Sequence, residues 1–142
     1  MSAITKARAI ELLDRQVEVL GEMLAGLDAE RDALVARRLD ELNAAMDTKT
    51  ECMARLEAIV GKLDGLPEFE DNDIIARRAQ ITVLSEQCRE LNEANGMLIA
   101  GQQRFVTGAL EALQFNDRTA ATYGPDGGNR QPSNLRKDLA SA

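Results

Sequence analysis

Apolar residues recur in alternating steps of three and four over much of this chain, and this spacing restricts the fold to packed helices. Residues spaced in this way lie along one side of an α-helix and form a seam against another helix. In the first third of the chain the seam residues are Ile10, Leu13, Val17, Leu20, Leu24, Leu27 and Leu34. In the second they are Leu39, Leu42, Met46, Met53, Leu56, Val60 and Leu63.

The step from Leu34 to Leu39 is five residues long, so the pattern shifts by one position there. We interpret the shift as a tight turn around residues 35–38. Because no Gly or Pro lies in this stretch, one continuous helix with a skip residue is the open alternative.

A clearer break lies in the segment 65–73. Gly65 can cap the second helix, and Pro67 prevents its continuation. Asp71 or Asn72 can cap a third helix, whose positive N-terminal end the acidic residues favour. The predicted helices cover about residues 3–36, 39–64 and 72–115.

The third helix has a wide apolar face near its C-terminal end. One row contains Leu98 and Phe105, and a parallel row contains Ile99, Val106, Leu110 and Leu113. At 1.5 Å per residue the three helices are roughly 51, 39 and 66 Å long. In an up-down-up arrangement the third helix passes the end of the second near Leu98, where Asn95-Gly96 interrupts the pattern. The face beyond this point is therefore a candidate groove for a partner's helix, unless a homodimer or a fold-back covers it.

Two charged residues occupy seam positions. If the first two helices form a hairpin, Lys49 lies level with Glu86 and Glu90, and Arg31 lies level with Glu90 and Glu93. Polar seam residues of this kind fix the register between helices at some cost in stability.

Composition excludes several classes of protein. The chain has a net charge of −7 and no histidine, and no basic stripe that would bind nucleic acid. It has neither a phosphate-binding loop nor a metal-ligand cluster, so we expect no enzyme activity, no metal and no cofactor. Cys52 and Cys88 lack CxxC spacing and are expected to be reduced packing residues, as is usual in the cytosol. No apolar run suggests a signal peptide or a membrane span.

Residues 117–142 are rich in Gly, Pro, Asn, Thr and Ser, and such a segment buries too little surface to offset its ordering entropy. We expect a helical domain at 1–116 and a flexible tail at 117–142. The predicted fold is all-α: an antiparallel three-helix bundle or coiled coil with an extended third helix and a disordered C-terminal tail.

Three motifs point to a known family. They are Leu91-Asn-Glu-Ala-Asn-Gly-Met-Leu-Ile-Ala-Gly-Gln102, Ala109-Leu-Glu-Ala-Leu113 and Thr122-Tyr-Gly-Pro-Asp-Gly127. In this order and spacing they resemble the Asn-Gly-containing third helix and the Tyr-Gly tail of the FlgN-type flagellar export chaperones. A looser likeness runs from residue 30 to Lys49, whereas residues 129–142 match nothing identifiable.

The resemblance implies a cytosolic, non-catalytic chaperone that binds the C-terminal helices of hook–filament junction proteins. It would prevent their premature association and deliver them to the flagellar export gate, as a monomer or weak homodimer without membrane insertion. The expected client-binding residues are Leu98, Ile99, Phe105, Val106, Leu110 and Leu113. Tyr123 is expected to dock at the export gate, although packing on the bundle or on the client is the alternative. The competing function is a homodimeric coiled-coil structural or adaptor protein.

Overall fold

In the computed structural model, the described part of the chain forms three α-helices: α1 is Ser2–Ala36, α2 is Leu39–Asp64 and α3 is Asn72–Thr122. The structure describes the backbone of residues 2–122 and the side chains of residues 3–114, and no strand occurs within this part of the chain. The all-α prediction is confirmed. The first two helices end where the sequence indicated, whereas α3 continues to Thr122 instead of fading near residue 115.

The turn between α1 and α2 is as short as the shift in the apolar pattern predicted. Only two residues separate the helices, and the first of them, Arg37, has a positive φ of 57°. The Arg38 N–H donates a hydrogen bond to the Ala33 carbonyl oxygen at 3.0 Å and closes the end of α1. This is the left-handed helix ending in which glycine is the usual residue. The alternative of one continuous helix is excluded.

α1 and α2 run in opposite directions. Glu22 near the middle of α1 pairs with Arg55, whereas Glu30 farther along α1 pairs with Lys49, an earlier residue of α2. Residue numbers that rise on one helix while they fall on the other define an antiparallel pair.

α1 and α3 run in the same direction. Arg77 Nε donates to Asp14 Oδ1 at 2.7 Å. Farther along both helices, the Cys88 thiol donates to the Leu20 carbonyl oxygen at 3.7 Å. Since α2 is antiparallel to α1, it is also antiparallel to α3, and the predicted up-down-up order is confirmed.

All three helices contribute to the main core. Its buried residues are Leu12, Val19, Leu20, Met23, Leu27, Cys52, Ile59 and Cys88. α1 packs against both other helices, so its buried stripe is wider than the predicted single seam and includes Leu12, Val19 and Met23. Of the predicted α1 positions, Leu13, Leu20, Leu27 and Leu34 are buried.

The predicted seam of α2 is partly wrong. The buried residues of this helix are Ala45, Cys52 and Ile59, whereas Met46, Met53, Val60 and Leu39 are exposed. Each of Met46, Met53 and Val60 directly follows a buried residue, so the pattern identified the neighbouring row. Small Ala and Cys side chains at the contact allow the helices to approach closely, and a search for large apolar residues passes over them.

The pairing predicted for the charged seam residues is also wrong. The slot between Leu27 and Leu34 is filled by Glu30, while Arg31 is exposed. Glu30 lies three residues after Leu27 and four before Leu34, whereas Arg31 lies four after Leu27 and three before Leu34. Both spacings fit a helix seam, so the sequence spacing alone does not choose between the two residues. Lys49 accordingly pairs with Glu30, not with the acidic residues of α3. Glu86 and Glu93 instead pair with Arg89 on their own helix.

Glu30 is buried in a polar cluster with Lys49 and Asn95. Asn95 Nδ2 donates to Glu30 Oε1 and to the Leu27 carbonyl oxygen, both at 3.0 Å. Lys49 Nζ lies 3.7 Å from Glu30 Oε2. Glu30 and Asn95 are the buried polar residues of the described side chains, so this cluster compensates the burial of a carboxylate through one cation and one amide.

Asp71 caps α3, which settles the choice between Asp71 and Asn72. Its Oδ1 accepts a hydrogen bond from the Asp73 N–H at 2.9 Å, and its carbonyl oxygen accepts one from the Ile75 N–H at 2.8 Å. The carboxylate also pairs with Lys6. The hydrogen bond from Lys6, followed by that from Asp73, lowers the pKa of the Asp71 carboxyl. One side chain therefore caps α3 and ties it to α1.

The chain divides into two compact units, Met1–Leu98 and Ile99–Ala142. This division lies inside α3 and differs from the proposed separation of a domain at 1–116 from a tail at 117–142, which stays a prediction. Residues 123–142, which include most of that tail, lie outside the described part of the chain.

Candidate functional site

The C-terminal part of α3 exposes a set of large apolar side chains. We call this set the α3 apolar face: Ile99, Phe105, Val106, Leu110 and Leu113. Their exposed fractions range from 37% for Ile99 to 69% for Phe105. An exposed row of this size is unusual for a soluble chain and is typical of an interaction surface.

These residues share one side of the helix. Ile99, Val106 and Leu113 are seven residues apart, and Leu110 lies four residues after Val106 and three before Leu113. Steps of three, four and seven keep side chains on one side of an α-helix. Phe105 directly precedes Val106 and widens the face at its middle.

The face carries little charge. Between residues 99 and 114 the charged side chains are Arg104 and Glu111. One positive and one negative charge leave this segment neutral, so burial of apolar area, and not electrostatic attraction, would dominate binding to it. A partner's amphipathic helix has the matching chemistry.

The Asn95-Gly96 pair does not interrupt α3. The helix continues through both residues, and Asn95 is fully buried in the polar cluster with Glu30. Asn95 therefore interrupts the apolar pattern because it makes buried hydrogen bonds, and α3 runs through it as the predicted helix 72–115 does.

The structure places the predicted site residues unequally. Ile99, Phe105, Val106, Leu110 and Leu113 are exposed together on α3. Leu98 is only half-buried and is the last residue of the first compact unit. Tyr123, the residue predicted to dock at the export gate, lies outside the described residues.

The cysteines are unsuited to nucleophilic chemistry. Cys52 and Cys88 are both buried and unpaired with each other. Burial is the main cause that raises the pKa of each thiol. At neutral pH they are therefore protonated, and the thiol is much less reactive than the thiolate.

No group of three or more His, Cys, Asp or Glu side chains within the described range could hold a metal ion. None of the described helices combines the length and hydrophobicity needed to span a membrane.

Sequence reasoning missed two features that concern binding or its support. Glu30 was overlooked because the seam slot was assigned to Arg31. The exposed residues Leu39, Met46, Met53 and Val60 were assigned to the core, although their constant spacing of seven residues would also have been compatible with a separate surface.

Comparisons with known proteins identify the family of this chain. The chain matches the family model described as FlgN protein over residues 1–131. It is 31% identical over 125 residues to the flagella synthesis protein FlgN of Salmonella typhimurium, with 84% of this chain and 89% of that protein covered. The flagella synthesis protein FlgN of Escherichia coli is 30% identical over 125 residues, with 84% and 88% covered. No solved structure matches the chain significantly. The family match and these relatives show that the chain belongs to the FlgN family of flagellar synthesis proteins.

Proposed function

We propose that this protein is a cytosolic export chaperone that binds the C-terminal helices of hook–filament junction proteins. It keeps them from associating early and delivers them to the flagellar export apparatus, without catalysis. The observation that carries the proposal is the exposed α3 apolar face in a chain of the FlgN family.

The α3 apolar face suits a helical client. An amphipathic helix that lies along it can place its own apolar residues between those of α3, as in other helix-in-groove interfaces. A stable interface of this kind buries about 1,200–2,000 Å² in total. Residues 99–113 of α3 supply about 21 Å of helix, and Leu98 lengthens the face by one residue.

Phe105 is the expected centre of binding energy. It is the aromatic residue of the α3 apolar face and the most exposed of its members. Interfaces concentrate their energy in a few central anchors, and large aromatic residues are enriched among them. Val106 and Leu110 are expected to make smaller contributions around it.

Calorimetric titration tests the client site. The full chain is titrated with peptides of the C-terminal helices of junction proteins, and Phe105→Asp is expected to weaken binding by about 2 kcal/mol or more. Met97→Asp is the matched control, because Met97 is exposed on the same helix but lies outside the α3 apolar face. Equal affinities for the two variants would remove the face from the proposal.

We propose export-gate docking for Tyr123. A single tyrosine in a turn-forming run has an apolar ring and a polar hydroxyl, which suits a small anchor. Tyr123→Ala should leave client affinity unchanged and reduce export of junction proteins. A loss of client affinity would instead place the ring in the client interface.

A homodimeric coiled-coil adaptor is the alternative, because a second copy could also cover the α3 apolar face. It predicts a dimer at micromolar concentration that Phe105→Asp converts to a monomer, together with no affinity for junction proteins. Sedimentation of the full chain and of this variant distinguishes the two functions.

A further inference from the structure

α2 carries a second apolar surface that the core does not cover. We call it the α2 row: Leu39, Met46, Met53 and Val60, which are 42–68% exposed. They are seven residues apart, so they lie on one side of the helix. The row is about 32 Å long, enough for three heptads of contact with another helix.

The α2 row borders the existing core. Met46, Met53 and Val60 each follow a buried residue, namely Ala45, Cys52 and Ile59. A helix laid along the row would therefore extend the packed seam of α2 and would not need to form a separate core. This continuity favours a helical occupant over a small molecule.

The charges beside the row define the chemistry of that occupant. Glu57 lies four residues after Met53 and three before Val60, and Asp64 lies four after Val60. Neither acid forms an ion pair with the described residues. Asp64 is also the last residue of α2, where the helix dipole disfavours negative charge. Two unpaired carboxylates thus flank the C-terminal half of the row.

We propose that the α2 row binds an amphipathic helix of a partner protein that has apolar residues at heptad spacing and Lys or Arg beside them. The basic residues meet Glu57 and Asp64, as oppositely charged flanking residues do in coiled coils. An anionic membrane surface does not fit, because the acidic flank repels it. A second copy fits poorly because each chain has a net charge of −7. The α2 row shares no residue with the α3 apolar face, so each proposal can fail alone.

Two designed peptides test the proposal. Each has four heptads with Leu at the a and d positions, and one carries Lys while the other carries Glu at the e and g positions. Like charges at these positions limit pairing of each peptide with itself. Binding of the labelled peptides to the full chain is measured by fluorescence anisotropy. The Lys peptide is expected to bind at least tenfold more tightly than the Glu peptide.

Variants assign this binding to the row. Met53→Asp should weaken binding of the Lys peptide at least tenfold. Val83→Asp, a substitution of an exposed residue on α3, should leave this binding unchanged. The double variant Glu57→Lys/Asp64→Lys should reverse the preference toward the Glu peptide. If circular dichroism shows that Met53→Asp is not folded, this reversal still decides the test.

Several results would overturn the assignment. Equal affinity for both peptides would remove the charge argument, and loss of binding in Phe105→Asp but not in Met53→Asp would move the site to α3. A dimer of the full chain that Met53→Asp converts to a monomer in sedimentation would assign the row to a second copy.

Discussion

Single residues at the seams decide how the three helices meet. Glu30 is the clearest case, because a buried carboxylate is tolerated only with partners, and here they come from both neighbouring helices. Asn95 Oδ1 is buried without a hydrogen-bond partner in the described part of the chain. The cluster is therefore only partly satisfied, and its main effect is to specify which residues face one another.

The cation of this cluster should matter for stability. Lys49→Met leaves the Glu30 carboxylate buried without its positive partner, and we expect it to lower the free energy of unfolding by about 1–3 kcal/mol. Lys62→Met is the control, because Lys62 is exposed and should change stability by less than about 0.5 kcal/mol. Urea unfolding measures both. A more stable Lys49→Met variant would mean that the register does not depend on the pair.

Arg37 is a second residue with a measurable cost. A residue with a side chain in the left-handed region lowers the free energy of unfolding by about 1 kcal/mol, and glycine avoids this cost. Arg37→Gly is therefore expected to stabilise the protein by about this amount. Ala36→Gly, at the last helical residue of α1, should instead destabilise it, and thermal unfolding gives both signs. A destabilised Arg37→Gly variant would contradict the described turn.

At the scale of elements, the number of helices and every boundary except the C-terminal end of α3 followed from the sequence, because they depend on local signals. The shift after Leu34, the cap at Gly65 and the capping position at Asp71 are all local. Which row of α2 faces the core did not follow, since Ala45 and Cys52 carry weaker apolar signals than Met46 and Met53. The choice depends on how closely two helices approach, which is a property of the packed pair. For the same reason the partners of Lys49 were mispredicted, whereas the exposure of the α3 apolar face was expected from the helix lengths.

The start of α3 should make stability depend on pH. The pKa of Asp71 is lowered in the folded state, so its stabilising effect is complete above its unfolded pKa of about 3.9. The effect is lost as the pH falls through the lower folded value. In Asp71→Asn the side chain retains an oxygen that can cap the helix, but it has no negative charge to pair with Lys6. The Tm difference between the wild type and Asp71→Asn should thus be largest near neutral pH and should disappear in acid.

Asp64→Asn provides the control for this pH series. Asp64 is exposed and forms no ion pair with the described side chains. The wild type should therefore show no Tm advantage over Asp64→Asn that is present near neutral pH and lost in acid. A constant difference between wild type and Asp71→Asn at every pH would exclude the Lys6–Asp71 pair as its source.

At the scale of the whole molecule, stability and client binding are expected to depend on different residues. Leu27 is 1% exposed, and Leu27→Ala should cost about 2–5 kcal/mol of unfolding free energy. Phe105→Asp should cost less than about 1 kcal/mol, because the ring is 69% exposed. Chemical unfolding of both variants checks this separation. A large loss in Phe105→Asp would mean that the α3 apolar face is part of the core.

Hydrogen–deuterium exchange with and without a junction protein tests the central claim most directly. In the free chain the amides of residues 99–114 should exchange faster than those of the packed part of α1, because most side chains of this stretch are exposed whereas α1 carries much of the buried core. Addition of the junction protein should slow exchange in residues 98–114 and leave α1 unchanged. Binding that slows exchange only in α1 or α2, with residues 98–114 unaffected, would contradict client capture by the α3 apolar face.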